Sequence, residues 1–502
     1  MIRGVRTAPL ISLLKALCIL LAIYFLESSL FIAFELLRYP YRIEWIEGHM
    51  IYEIQRVREG LPIYAAPGIE YVPLIYAPLF MVVSAALSFI TGIGFLPGRL
   101  VSLASILVIY GLFYLWMRRE KAGFLFRFLP AGLFAATYPL SDSWFFQARS
   151  DSMALALVLG GMFVFMHNAT PRSAALAAAL WIAAYFTKQF MPLMVAPFLA
   201  AAWMTDCRRA LLAGGIVAIG MGAGIMLGNA LTDGWFGFYT LLLPTGHPID
   251  SGKWTLFWRG DMKPLAFALG LAVAGLMVEA RHDAKRAGQY AGLLGGMLLA
   301  GYAGRLHSMG HINVLMPAHA GIALVAGLTA QRWLGMRPLY ACTALAALLL
   351  AFWTLLYSPQ RYVPGEAAYA SGMRFNEYLR AIPGEVLVPD VQFVQEASGK
   401  KSYALGMAAL DLIRARLPAD KEVIKIRFLA ELQDAVRRRQ FAMIIGSGPV
   451  NLDRFLGLHD HYRLIGQEVL LNDTVANLGT GVMRMYVPIP ANVNPLPSPV
   501  RP

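Results

Sequence analysis

The chain has 502 residues, of which 58% are hydrophobic and 15% charged, with a mean hydropathy of +0.56. Soluble domains carry about 25% charged residues, so an ordinary soluble enzyme is excluded and a bilayer protein is indicated. The formal charge of +13 would suit a nucleic-acid partner in a soluble chain, but in a membrane chain positive charge first reports loop topology.

Charge is unevenly spread. Residues 1–358 hold 26 Lys+Arg and 16 Asp+Glu, while the much shorter stretch 359–502 holds 17 and 14. A membrane body over 1–358 therefore precedes a small water-soluble domain over 359–502. Cys18, Cys207 and Cys342 all lie in or beside apolar stretches, which supports neither a disulfide framework nor a thiol metal site.

A helix needs about 20 apolar residues to cross the hydrocarbon. Twelve apolar runs approach that length, near 11–34, 72–91, 98–117, 124–141, 152–168, 173–187, 190–204, 210–231, 264–279, 289–306, 312–331 and 338–357. The first follows Arg3 and Arg6 and has no small-residue cleavage site behind it, so it reads as an uncleaved anchor with a cytoplasmic N-terminus. If all twelve crossed, the basic loops at Arg118–Lys121, Asp206–Arg209, Arg281–Arg286 and Gln331–Arg337 would fall outside, against the positive-inside rule. Laying the run 72–91 in the outer interface puts all four inside. About eleven spans result, with 35–97 as one long outer loop and an extracytoplasmic C-terminal domain. The basic balance is then topological, and nucleic acid is not a partner.

The outer loops carry the chemistry. "RYPYRIEWIEGHMIYEIQRVREG" places Glu44 and Glu47 three apart, on one face if helical, opposite a stripe of Ile43, Ile46, Met50, Ile54 and Val57. Such a helix would lie on the membrane, and its two acids are either a solvated face or a site. "YPLSDSWFFQARSDSMA" brings Asp142, Arg149 and Asp151 to the outer mouth, where Arg149 and Asp151 either pair at a helix start or face a ligand. Lys188 and Gln189 sit in a turn between two short spans, and an ammonium at that depth is either functional or snorkels to the interface. The loop 232–263 adds His247, Lys253, Trp254, Trp258 and Arg259, and "GRLHSMGHIN" adds Arg305, His307, His311 and Asn313. His307 and His311 are four apart, but without a third ligand nearby they make a weak metal site. Outward-facing cations suit a lipid-linked phosphate, and a carboxylate suits deprotonation of an attacking hydroxyl.

In the C-terminal stretch, "EVLVPD", "FAMIIG", "YRLIGQEVLL" and "GVMRMYV" predict strands. Helices are predicted near 405–417 and 425–439, giving a small α/β domain with a loose Pro-rich tail over 487–502.

The ordered segments "EWIEGHMIYE…REGLPIYAAPGIEYVPLIYAPL", "GR", "QARSDSMALALVLGGMF", "AAYFTKQ" and "GHINVLMPA" resemble the GT-C superfamily of polytopic membrane glycosyltransferases. The likeness is to bacterial members similar to aminoarabinose transferase and protein O-mannosyltransferases, and it covers about residues 10–330. It implies a mainly α, GT-C-like transmembrane bundle with outer juxtamembrane helices. It also implies inverting transfer of one sugar from a polyprenyl-phosphate donor to a cell-envelope glycan, lipid or protein, on the outer face of the bacterial inner membrane.

By that resemblance Glu47, with Glu44 second, takes the place of the catalytic acid, and Asp151 takes that of the second outer-loop acid with Arg149 beside it. Lys188 falls near the donor phosphate, and His311 and Asn313 fall in an outer-mouth motif. Gln189, Arg305, His247 and Arg259 are further substrate-binding candidates. Some members bind a divalent metal ion near the acids, so a metal is a candidate cofactor, although no ligand set here demands one. The alternative is a transporter or flippase of lipid-linked glycans, which should show charged residues inside the bundle and pseudo-symmetric halves.

Overall fold

The computed structural model describes residues 8–308, 310–389, 393, 397–403, 405–447, 456–471 and 481–490. Each of the twelve apolar runs contains helix, the run 72–91 only from Leu79 onward. In chain order the main helices are α1 (Ala8–Arg38), α2 (Glu47–Arg58), α3 (Leu79–Thr91), α4 (Phe95–Arg119), α5 (Leu129–Ala136), α6 (Ser150–His167), α7 (Pro171–Tyr185) and α8 (Met191–Trp203). They continue with α9 (Cys207–Leu231), α10 (Ala266–Ala280), α11 (Ala284–Leu306), α12 (Met316–Leu334), α13 (Pro338–Thr354), α14 (Glu366–Ala381), α15 (Gly406–Arg414) and α16 (Ala419–Arg437).

Among the described residues six helices are long and apolar enough to cross a bilayer, or seven if α13 and the bent segment after it form one span. α3, the interfacial candidate, has 13 residues and so extends only about 20 Å, short of the ~30 Å hydrocarbon. Local sequence explains the boundaries. α7 opens on a capping box in which Thr170 and Ser173 exchange side-chain and backbone hydrogen bonds, with Pro171 in the first turn. α9 and α11 open on Asp206 and Asp283, whose carboxylates accept from the Arg209 and Arg286 amides.

The basic loops assigned to one side by charge do meet at one end of the bundle. Glu120 pairs with Arg286 and with Arg332, and Glu279 pairs with the same two arginines, at 3.7 and 3.4 Å. The loops after α4, α10 and α12 thus lie at one end of the bundle. On the flanks of α1 and α9, Leu20, Ile219, Met226 and Leu231 are more than half exposed, as lipid-facing positions are.

The outer loop differs from its sequence reading. A helix carrying both Glu44 and Glu47 was expected, but α2 begins at Glu47, and residues 39–46 are neither helix nor strand. The cause is Glu47 itself, whose carboxylate accepts the amide of Ile43 at 2.8 Å and holds the preceding chain off the helical path. Nor does α2 lie on a surface, since Glu47, Met50, Ile51, Glu53 and Ile54 are fully buried. The loop 232–263 is largely helical. It folds into short helical turns with widened π segments at Phe238–Leu242 and Phe257–Asp261.

The C-terminal strands are β1 (Val386–Leu387), β2 (Met443–Ser447), β3 (Tyr462–Leu471) and β4 (Gly481–Pro488), ordered β1-β2-β4-β3. β1 and β2 run parallel and the other pairs antiparallel, with Val386 opposite Met443 and Ile444 opposite Tyr486. α16 starts six residues earlier than expected, at Ala419, because Pro418 and the acids Asp420 and Glu422 make a favourable helix start. β4 extends to Pro488, and beyond residue 490 the expected tail lies outside the described residues. One apolar cluster joins Ile46, Met50 and Ile54 of the outer loop to Tyr239 and Leu243 and to Leu412, Leu432 and Tyr403 of the C-terminal part. That shared core seats the C-terminal helices against the loop 39–78 end of the bundle.

Candidate functional site

Two buried acids stand at the mouth of the bundle in different states. Glu47 is saturated: Oε1 accepts from Arg99 Nε at 2.8 Å and the Ala148 amide at 2.9 Å, and Oε2 accepts from Arg99 Nη2 and the Ile43 amide at 2.8 Å each. Gly98 lets α4 come this close, because a Cβ there would meet Ala148 Cβ at 2.6 Å. Glu44 is the reverse. It is 2% exposed, neither oxygen accepts a hydrogen bond, and Arg149 Nη1 lies 3.8 Å away. Burial pushes its carboxyl up to about 7, and Arg149 and the Ile46 backbone amide pull only partly against that.

Arg149 occupies the centre of the group. Its guanidinium lies over the rings of Trp144 and Tyr76 at 4.3 and 4.9 Å and donates to the Tyr76 hydroxyl at 2.7 Å, while Nε and Nη1 find no partner. It does not pair with Asp151 at the helix start, nor does its side chain cap α6. Asp151 instead accepts from Lys188 Nζ at 2.6 Å and Asn313 Nδ2 at 2.8 Å, both on Oδ1, leaving Oδ2 buried and unpaired. The chain reverses just before, through left-handed Asp142 and Ser143 (φ 54° and 62°), and Asp142 Oδ2 meets His311 Nδ1 at 2.9 Å and the Trp144 indole at 3.1 Å.

A cavity of about 320 Å³ opens beside this group, walled by Trp45, Tyr76, Trp144, Lys188, His311 and Asp411 among others. A narrower apolar pocket of about 30 Å³ continues from it into the bundle past Leu155, Met194 and Met316. Lys188, Phe190, Gly304 and Val314 line both. Glu44 lies behind the wall that Trp45, Ile46 and Tyr76 present to the cavity.

The architecture has known counterparts. The chain matches ArnT from Cupriavidus metallidurans bound to undecaprenyl phosphate with a TM-score of 0.58 at 12% identity, covering 94% of this chain and 99% of that one. The same protein in the apo state gives 0.58 at 11% identity, over 92% and 97%. This is the GT-C fold. The archaeal oligosaccharyltransferase AglB from Archaeoglobus fulgidus matches with a TM-score of 0.48 at 10% identity, over 88% of this chain and 72% of that. No protein-family model and no curated protein matches the sequence.

Within this GT-C architecture the remaining sequence candidates divide. Asn313 joins the Asp151–Lys188 pair and His311 lines the cavity. Gln189 ties two backbone carbonyls, Ile75 and Thr240, at 2.7 and 3.2 Å. Arg305 is held by Asp261 at 2.7 Å and by the Gly310 carbonyl. Arg259 is exposed on its helical turn, and His247 pairs with His307 at 2.9 Å rather than facing an anion. The metal candidates His307 and His311 point to different partners, His247 and Asp142.

A divalent metal does not fit this donor set. Each acid already has a protein cation or histidine beside it: Glu47 has Arg99, Glu44 has Arg149, Asp151 has Lys188 and Asp142 has His311. Among the described residues no three His, Cys, Asp or Glu side chains converge.

Two contributors escaped the sequence reading. Arg99 was only the "R" of a "GR" before a span, although an arginine one turn inside an apolar run signals a buried partner. Asp411 sits in a helix whose amphipathic pattern gave no hint that it faces the membrane domain. A further buried acid, Glu53, accepts from the Leu74 amide at 2.8 Å and is pushed up to about 7 by burial.

Proposed function

We propose that the protein is an inverting glycosyltransferase that moves a single sugar from a polyprenyl-phosphate donor to a cell-envelope acceptor at the outer face of the bacterial inner membrane. The observation that carries this reading is Lys188. Its ammonium, anchored on Asp151, lies in the wall of a largely apolar cavity, where it would meet the phosphate of a lipid-linked sugar. The shared fold supports it, since ArnT has been crystallised with undecaprenyl phosphate.

In this reading Lys188 holds the phosphate directly, and Arg149, buried behind Tyr76 and Trp144, adds its positive charge to the site. Glu44, the unsaturated acid, is the general base, and Glu47 is its structural neighbour. An acceptor hydroxyl attacks the anomeric carbon as the carbon–oxygen bond to phosphate breaks, the hydroxyl proton passes to Glu44, and the lipid phosphate leaves as the anion. Glu44 reaches the acceptor when the irregular segment 39–46 moves aside with Trp45. The N-terminus is cytoplasmic, about eleven spans follow, and residues 359–502 form the outer domain. No step runs through a metal.

The test is transfer from synthetic polyprenyl-phosphate sugars by the purified full-length chain in detergent or nanodiscs. Release of lipid phosphate with formation of a glycosylated acceptor supports the reading. Movement of intact lipid-linked glycan across a bilayer without cleavage would instead establish a flippase.

A further inference from the structure

The outer cavity is closed from above by α15, and the attachment is specific. Arg416, just after α15, donates its amide to the Gly246 carbonyl at 2.8 Å, an approach that only glycine permits because a Cβ at 246 would lie 2.7 Å from Arg416 O. His247 Nε2 lies 2.8 Å from the Asp411 carbonyl, and His247 Nδ1 lies 2.9 Å from His307 Nε2. Lys253 fastens the next turn through the carbonyls of His307, Ser308 and Gly310. Gly246 and His247 thus hold this turn directly, with His307 and Lys253 bracing them from behind, and the turn presents the Asp411 side chain to the cavity.

Asp411 is 3% exposed, and its Oδ1 accepts from Arg414 Nη2 at 3.1 Å. Among the described residues no group donates to its Oδ2. That oxygen keeps contact with the cavity, so a ligand there can supply the donor it lacks. An anion cannot do so, because the carboxylate repels it, and the phosphate place at Lys188 is on another wall. A cation is disfavoured too, since Arg414 is bound to Asp411 and Arg149 is near enough to act on it. What remains is a neutral donor, and the ring of Trp45 in the wall of the same cavity suits the apolar face of a sugar ring, while Tyr76 and Trp144 carry Arg149.

We propose that Asp411 is a specificity-determining residue that accepts hydrogen bonds from hydroxyls of the transferred sugar, and that His247, backed by His307, positions it. This rests on the glycosyl-transfer reading above. The cavity would then be divided by charge, with phosphate at Lys188 and sugar hydroxyls at Asp411, so that the C-terminal helix chooses the sugar while the membrane helices hold the lipid.

The experiment measures transfer by the full-length protein from a panel of polyprenyl-phosphate sugars in which each hydroxyl in turn is replaced by hydrogen. With Asp411→Asn, KM for the donor is expected to rise roughly 10- to 100-fold, the range of a charge-assisted hydrogen bond, with kcat nearly unchanged. The penalty for deleting one particular hydroxyl, present in the wild type, should vanish. Asp411→Glu, which keeps the charge and displaces it, is a second variant expected to fold and to change the order of preferred sugars. His247→Gln should raise KM in the same direction by a smaller factor and leave the deoxy-sugar pattern intact. Equal deoxy penalties in wild type, Asp411→Asn and Asp411→Glu, with wild-type transfer retained, would overturn the assignment alone. A wild-type protein that transfers nothing from the panel overturns the glycosyl-transfer reading and this assignment with it.

Discussion

Arg99 and Glu47 form a two-pronged ion pair in which neither side chain is exposed, and the same guanidinium also donates to the carbonyls of Leu36, Tyr39 and Tyr41. One pair therefore fixes the end of α1, the irregular segment after it, the start of α2 and, through the Ala148 amide, the turn before α6. Removing one partner leaves an uncompensated charge in a dry site, so Glu47→Ala and Arg99→Ala should each destabilise the protein by about 3–5 kcal/mol. The double variant should lose less than the sum of the two. Unfolding in detergent followed by tryptophan fluorescence checks this, and additive losses would show that the two side chains are not coupled.

Glu44 should behave in the opposite way. With no hydrogen bond to lose, Glu44→Gln is expected to leave the unfolding midpoint at or above that of the wild type while reducing kcat by about 10²–10⁴, the range for loss of a general base. A variant that unfolds but transfers normally when folded would return the catalytic role to another acid.

The contrast between these acids marks the limit of what the sequence discloses. Twelve apolar runs and four basic loops were legible because hydrophobic length and positive charge act one residue at a time, so helix formed in every run and the loops carrying Glu120, Glu279, Arg286 and Arg332 met at one end. The C-terminal strands were legible from alternation. Glu44 and Glu47 could not be told apart because saturation of a carboxylate depends on residues 52 and 101 positions away, Arg99 and Ala148. Asp411 was hidden for the same reason: its helix pattern marks a buried face without saying what covers it.

Lys188 and Asp151 offer a graded test. Lys188→Met removes the only ammonium at the junction of cavity and pocket among the described residues and leaves Asp151 with Asn313 alone. The donor KM is expected to rise by about 10- to 100-fold, with weaker retention of lipid phosphate by the purified protein. Asp151→Asn keeps a hydrogen-bond acceptor for Lys188 but frees its charge, so donor KM should change less than in Lys188→Met while Lys188 becomes more mobile. Equal effects of both variants on kcat alone would move the pair from phosphate binding to the reacting bond.

The pH dependence of both activity and stability follows from Glu44. A base whose pKa has been raised to about 7 is protonated and inactive at lower pH, so kcat/KM should climb tenfold per pH unit below about 7 and level off above it. Stability carries the opposite slope. Between about 4.5 and 7 the folded state holds a proton at Glu44 that the unfolded chain has released, so the wild type loses stability as pH rises through that window. Glu53 and Asp411, which burial also pushes up to about 7, act with the same sign as Glu44, and His49 and His307, held down to about 3 and about 4, act with the opposite sign below about 6.5, so the wild-type curve alone does not isolate Glu44. The difference between Glu44→Gln and wild type does isolate it. That difference should be near zero at pH 4.5, grow in favour of the variant up to about pH 7 by at most roughly 3 kcal/mol, and stay constant above. Unfolding midpoints of the two proteins, measured in parallel across this range, decide the point. A difference that does not change with pH would mean that Glu44 is ionised throughout and that its carboxylate is already matched by Arg149.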